Sequence, residues 1–183
     1  MADDPLNIEK QYWRNLKRER PTDIVVPGAG QESVWDYPRP PAVESVESRL
    51  QVWFAGVALA NTVHGLRVIE TSSPPVYYIP QEDVRRDFLT AMIHTTLCEW
   101  KGVATYWNVS IRGRRQEAVG WSYDNPEPGY ERLKRHFAFY AGLVDECHVG
   151  DEQVLPQPGD YYGGWVTSSI VGPFKGTAGT QLW

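Results

Sequence analysis

The chain has 183 residues, with 18 basic and 23 acidic side chains and a net charge of −5, an acidic balance that argues against general nucleic-acid binding. That length supports one full hydrophobic core. With 42% hydrophobic and 22% charged residues the chain is not composed like a disordered one, and no run of 18 apolar residues offers a membrane-spanning helix.

The opening stretch, MADDPLNIEKQYWRNLKRER, has no apolar segment of the kind a secretory signal carries. Residues 1–33 read as an extension. Residues 8–20 set Tyr12, Trp13 and Leu16 among basic side chains, as in an amphipathic helix, and Pro21, Pro27, Gly28 and Gly30 follow as a linker. A single domain is expected over 34–183. Its first strands, 49–55 and 57–62, flank Gly56 as a hairpin; 66–71 and 76–79 follow. The spacing then predicts a helix over 81–89, where Glu82 and Asp83 suit an N-terminus and Val84 and Phe88 share a face. Residues 103–111 form the longest β-like run and turn at Gly113 into 118–123. A second helix is predicted over 129–137 from Tyr130, Leu133 and Phe137, with short strands at 138–140 and 143–149. Residues 156–183 hold six of the 16 glycines but also Tyr161, Tyr162, Trp165 and Trp183, as expected of an ordered coil wrapped over a core.

Twenty-three aromatic rings (eight Trp, ten Tyr, five Phe) are the unusual quantity. Tyr and Trp pair an apolar face with a polar handle, so they suit both a core and a ligand cage. Many of the rings adjoin Gly, Pro or Ser, and a concave site would then need only a few polar anchors, for which Glu70, Arg67 and Lys101 are candidates. Cys98 lies near Lys101, and His94 stands four residues before it, on the same face if the segment is helical. A nearby cation favours a thiolate, so Cys98 is a candidate nucleophile. Cys98 and Cys147 are too few for a disulfide scaffold and read as thiols of a reducing cytoplasm. No CxxC pair occurs, and neighbouring Cys147 and His148 point to opposite faces of a strand, so no metal is expected. The glycines at 163–164 and 172–176 lie near Lys175 but match neither phosphate-binding motif, GxxxxGK[ST] or GxGxxG.

The ordered series VWDYPRPP (34–41), LRVIETSSPPVYYIP (66–80), HTTLCEWKGVATYW (94–107), GWSY (120–123), HFAFYAGLVDEC (136–147) and PQPGDYYGGWVTSSIVGPFKG (156–176) resembles the bacterial domain of unknown function family 427, also labelled nucleotidyltransferase-like. The resemblance covers 34–183. It implies a β-tent related to the ligand-binding domain of cereblon and to methionine sulfoxide reductase B. It marks Glu70, Tyr77, Cys98, Trp100, Lys101, Trp121, Tyr162, Trp165 and Lys175 as matching family motifs.

The expected fold is therefore mainly β and β-tent-like, two antiparallel sheets meeting at an angle with two or three short helices. The expected function is a small-molecule binding module with an aromatic pocket for a cationic or heterocyclic ligand. Its ligand-binding residues would be Tyr77, Trp100, Trp121, Tyr123, Tyr162, Trp165 and Lys175. Two enzyme readings stay open: thiol chemistry at Cys98 with Lys101 and Glu70 as further catalytic candidates, and nucleotidyl transfer as the family label suggests. A protein-docking role for residues 8–20 and a homodimer also stay open, and no cofactor is expected.

Overall fold

The computed structural model describes residues 5–183; the first four residues of the expected extension over 1–33 lie outside the described residues. The described residues open with one α-helix, α1 (Pro5–Asn15), which starts earlier and ends sooner than the amphipathic segment expected at 8–20. Fifteen strands follow: β1 (Glu32–Ser33), β2 (Ala42–Ser45), β3 (Leu50–Phe54), β4 (Val57–Thr62), β5 (Leu66–Glu70), β6 (Ser73–Pro80), β7 (Leu89–Cys98), β8 (Gly102–Ile111), β9 (Arg114–Ser122), β10 (His136–Phe139), β11 (Glu146–Val149), β12 (Glu152–Gln153), β13 (Leu155–Pro156), β14 (Trp165–Val166) and β15 (Ile170–Val171).

They form a seven-stranded sheet in the order β2-β5-β6-β10-β9-β8-β7 and a four-stranded sheet in the order β12-β11-β3-β4; the pairings within both are antiparallel. Two small ribbons complete the set, β13 with β14 and the parallel pair β1 with β15. The protein is thus mainly β, with one helix and short 3-10 turns among the described residues.

Both helices expected inside the domain are corrected. Segment 81–89 holds two 3-10 turns, Gln81–Asp83 and Arg86–Phe88, and segment 129–137 holds one, Glu131–Leu133. A window of nine residues with one short apolar stripe does not offset the cost of nucleating a helix. The segment around His94 and Cys98 is likewise a strand, β7, the edge of the large sheet.

The two large sheets enclose the main core. Leu50, Val52 and Phe54 of β3, Leu59 of β4 and Cys147 of β11 pack against Tyr77 and Ile79 of β6, Val109 and Ile111 of β8, and Phe137 and Phe139 of β10. Alternation along the strands sends the intervening residues to the other face: Tyr78 of β6, Ala104 of β8, Trp121 of β9 and Ala138 of β10 join a second cluster with Leu66, Val68 and Tyr123. No strand layer covers this face. It is covered instead by the two ends of the chain, which are stitched together. Glu19 N donates to Leu182 O at 2.8 Å, Val25 N to Gly172 O at 3.0 Å, and Glu32 N to Ser169 O at 2.8 Å. Trp35 donates its indole N–H to Pro173 O at 2.8 Å and meets Trp183 edge-on at 5.5 Å.

Candidate functional site

Beneath the chain ends the second face of the large sheet opens into a cavity of about 490 Å³. Its floor and inner wall carry Tyr78, Tyr106, Trp121, Tyr123 and Tyr140, and its roof carries Trp13 of α1 with Tyr161, Tyr162 and Trp183 of the C-terminal coil. Tyr106 faces Trp121 across the β8–β9 ladder, and Trp121 lies 4.6 Å from Tyr140 between ring centroids. Tyr106 Oη and Thr96 Oγ1 share a hydrogen bond of 2.9 Å.

Gly163 explains how the roof sits so low. A Cβ at this position would stand 2.3 Å from Cη2 of Trp121, so only glycine lets the coil lie directly on the indole. Gly164 is equally crowded, and its N–H already donates to the Gln157 side chain at 3.0 Å. The two glycines thus serve close packing, and the Gly164 amide is not left free for a phosphate.

The charged groups of the cavity are organised around Arg39. Its guanidinium bonds the Glu70 carboxylate and reaches Glu99 at 3.1 Å, while Arg18 approaches Glu99 at 3.8 Å. The ring of Trp100 holds this group in place: the guanidinium carbons of Arg14 and Arg39 lie 5.1 and 5.4 Å from its centroid. Lys175 is buried. Its Nζ donates to the Trp183 backbone oxygen at 3.2 Å and lies 5.2 Å from the Tyr162 ring. Burial, and then the charge of Arg18, lower its pKa to about 8. Burial raises the phenols of Tyr78 and Tyr162 to about 12. Three buried polar atoms of the lining have no hydrogen-bond partner: Tyr78 Oη, Ser72 Oγ and Arg18 Nε.

The structure brings seven of the eleven candidate residues to the cavity wall, Glu70, Cys98, Lys101, Trp121, Tyr123, Tyr162 and Lys175, while Arg67 is not in the lining and pairs with Glu32 and Glu44. Tyr77 and Trp165 sit on the opposite face of the sheet, in the main core, with ring centroids 5.2 Å apart. Trp165 is 1% exposed and donates its indole N–H to Phe139 O at 2.8 Å. Trp100 packs beside the second cluster, behind Arg39, and is not part of the lining. Period-two alternation allows only one of Tyr77 and Tyr78 to face the cavity, and it is Tyr78. Arg18, Arg39 and Glu99 also line it; Arg39 and Glu99 fall within the family-like segments 34–41 and 94–107 but are not singled out there, because the chain ends and the β7 edge meet only in the fold.

His94 is exposed and stacks near Tyr106 with centroids 5.6 Å apart. Four residues along a strand put it about 13 Å from Cys98, whereas a helix would have made them neighbours. The Cys98 thiol instead approaches Glu99 Oε2 at 3.8 Å and lies against Lys101 and Tyr123. Cys147 is sealed in the main core, where burial raises its thiol pKa. Among the described residues no three His, Cys, Asp or Glu side chains gather in a group able to hold a metal, and no helix is long and apolar enough to cross a membrane.

Fold and site together define a β protein with an aromatic, roofed cavity on the face of its large sheet turned away from the main core. The family model described as a domain of unknown function (DUF427) matches residues 42–150, more than half of the chain, and the protein belongs to that family. No curated protein matches the chain. The matched region contains the cavity floor, while Trp13, Arg18, Tyr161, Tyr162, Lys175 and Trp183 of the roof lie outside it.

Proposed function

We propose that this protein binds a flat, unsaturated small molecule about the size of a two-ring heterocycle in the roofed cavity. The single observation that carries the reading is a space of about 490 Å³ in which aromatic floor and roof enclose buried hydroxyls, Tyr78 Oη and Ser72 Oγ, with no partner. A buried polar atom left unpaired costs about 1–3 kcal/mol. A planar ligand bearing acceptor atoms relieves that cost and stacks on the rings. The volume lies within the usual range for small-molecule sites.

Of the two ligand chemistries that the sequence raises, the wall supports the heterocyclic one. Arg18, Lys101 and Lys175 face the cavity, and of its three side-chain carboxylates Arg39 already engages Glu70 and Glu99, leaving Glu9 on the exposed helix α1. The same pairing, with the occupied Gly164 amide, gives nucleotidyl transfer no free carboxylate pair and no amide cradle there. Two sheets packed across one core support a tent-like frame that leaves the other face of the larger sheet open to ligand. The free thiols Cys98 and Cys147 suit a reducing compartment such as the cytoplasm.

The test is a fluorescence titration of the full chain with a panel of planar heterocycles, the native tryptophans serving as reporters. The expected result is saturable quenching that Trp121→Ala abolishes or weakens severely; titration of that folded variant as in the wild type overturns the reading. A second reading, thiol chemistry, is favoured by the place of Cys98 on the cavity wall beside Lys101. Alkylation at pH 7 faster than that of a model thiol supports it, and an equal rate removes it.

A further inference from the structure

Lys101 stands in the turn between β7 and β8 and lines the cavity. No carboxylate among the described residues lies within ion-pair distance of its ammonium. The acidic groups nearby are taken: Glu70 by Arg39, Glu99 by Arg39 and Arg18, Glu127 by Lys10. Burial works against its charged form, but the charges of Cys98, Tyr78 and Glu70 and a hydrogen bond with the Cys98 side chain outweigh this and hold its pKa above the ordinary lysine value. It is therefore a cation throughout the physiological range, in a partly desolvated place, with a thiol and phenols in front of it. A desolvated charge with no carboxylate in ion-pair contact is costly. Next to it, Tyr78 is 0% exposed and its hydroxyl has no partner. A cation and a spare hydroxyl side by side, among rings, ask for the same complement.

We infer that the ligand is a planar aromatic acid whose carboxylate is held by the Lys101 ammonium and the Tyr78 hydroxyl, with its ring among the aromatic side chains that include Trp121. The inference rests on the cavity being a small-molecule site and adds the chemical class of the occupant. Two donors match the two oxygens of a carboxylate. A phosphate, with more oxygens to satisfy, calls for a nest of free backbone amides. Here the Gly164 N–H is spent on Gln157, the Lys175 N–H on Ser72 O and the Gly176 N–H on Thr180. Hydrogen bonds to charged groups contribute about 1.5–3 kcal/mol, which corresponds to at least about tenfold in affinity.

The experiment is a calorimetric titration of the full chain with 2-naphthoate, its neutral isostere 2-naphthamide and the cationic 2-naphthylmethylammonium. Naphthoate is expected to bind at least about tenfold more tightly than naphthamide, with the ammonium compound weakest. Lys101→Met is expected to erase the difference between naphthoate and naphthamide, and Tyr78→Phe to reduce it. Equal affinity of naphthoate and naphthamide for the wild-type protein overturns the acid assignment while leaving an aromatic site in place. An undiminished preference in folded Lys101→Met also overturns it, because the carboxylate then sits elsewhere. Should Lys101→Met not fold, Tyr78→Phe decides, and an unchanged preference in that variant counts against the assignment. If none of the three compounds binds, the small-molecule reading of the cavity fails together with it.

Discussion

Two adjacent tyrosines show how a single residue step sets a role. Tyr77 supports the interior against Trp165, and Tyr78 forms part of the cavity floor, because neighbouring side chains on a strand point to opposite faces. At the same scale Gly163 is bound to the height of the roof. Gly163→Ala would drive a methyl group into Trp121, and overpacking of this kind costs about 1–3 kcal/mol. The variant is expected to melt earlier than the wild type in chemical denaturation and to bind the heterocycle panel more weakly. Lys175 gives a pH signature. Its pKa is lowered on folding, to about 8, so between that value and the ordinary lysine range the unfolded chain holds the extra proton and stability gained from this group rises with pH. Below about pH 8 both states carry the charge, and the folded state bears the full cost of burying it. The difference in melting temperature between Lys175→Met and the wild type is therefore expected to move in favour of the wild type as pH rises from 7 to 10. A constant difference across that range contradicts this.

Among the elements, helix α1 and the strands rest on different physics. No residue of α1 is buried, and an isolated helix of 11 residues is marginal in water. What holds it is polar: Lys10 on Glu127, Arg14 on the Glu99 carbonyl at 2.8 Å, and the Trp13 carbonyl accepting from Arg39. Strands β8 and β9, by contrast, are each paired on both sides within the large sheet. Amides of α1 are expected to exchange with solvent orders of magnitude faster than those of β8 and β9, which hydrogen-exchange mass spectrometry reads directly. The lost helices at 81–89 and 129–137 make the complementary point. Their apolar spacing is real, but over so few residues it is satisfied equally well by 3-10 turns that deliver Leu133 and the start of β7 to their places.

For the molecule as a whole, the cavity is closed by two segments from opposite ends of the chain, joined through Glu19 to Leu182 and Val25 to Gly172. A ligand beneath them contacts both, so binding is expected to protect 5–20 and 160–183 from exchange together. It is also expected to raise the melting temperature by mass action, about 2.7 kcal/mol at a hundredfold excess over Kd. Protection of one end alone would show that the two do not act as one roof.

The hairpin at 49–62 and the strands at 66–71, 76–79, 103–111 and 118–123 were legible in the sequence, though β7 was not, because their signals are local: β-branched and aromatic residues over a few positions, punctuated by glycines such as Gly56 and Gly113 that adopt positive φ. The abundance of rings and the family motifs were legible on the same terms. Which rings face a hollow was not, because the answer turns on which side of the seven-stranded sheet β3, β4 and β11 cover. That choice consigns Tyr77 and Trp165 to the core and hands Tyr78 and Trp121 to the cavity. Arg39, Glu70 and Glu99 are scattered along the chain and become one charged cluster only when β5, β7 and the segment before β2 are brought together. Local sequence determined what the strands are made of, because propensity and turn chemistry act over a few residues. The tertiary structure alone decided what the cavity is made of, because burial and charge pairing depend on neighbours that the chain supplies from far away.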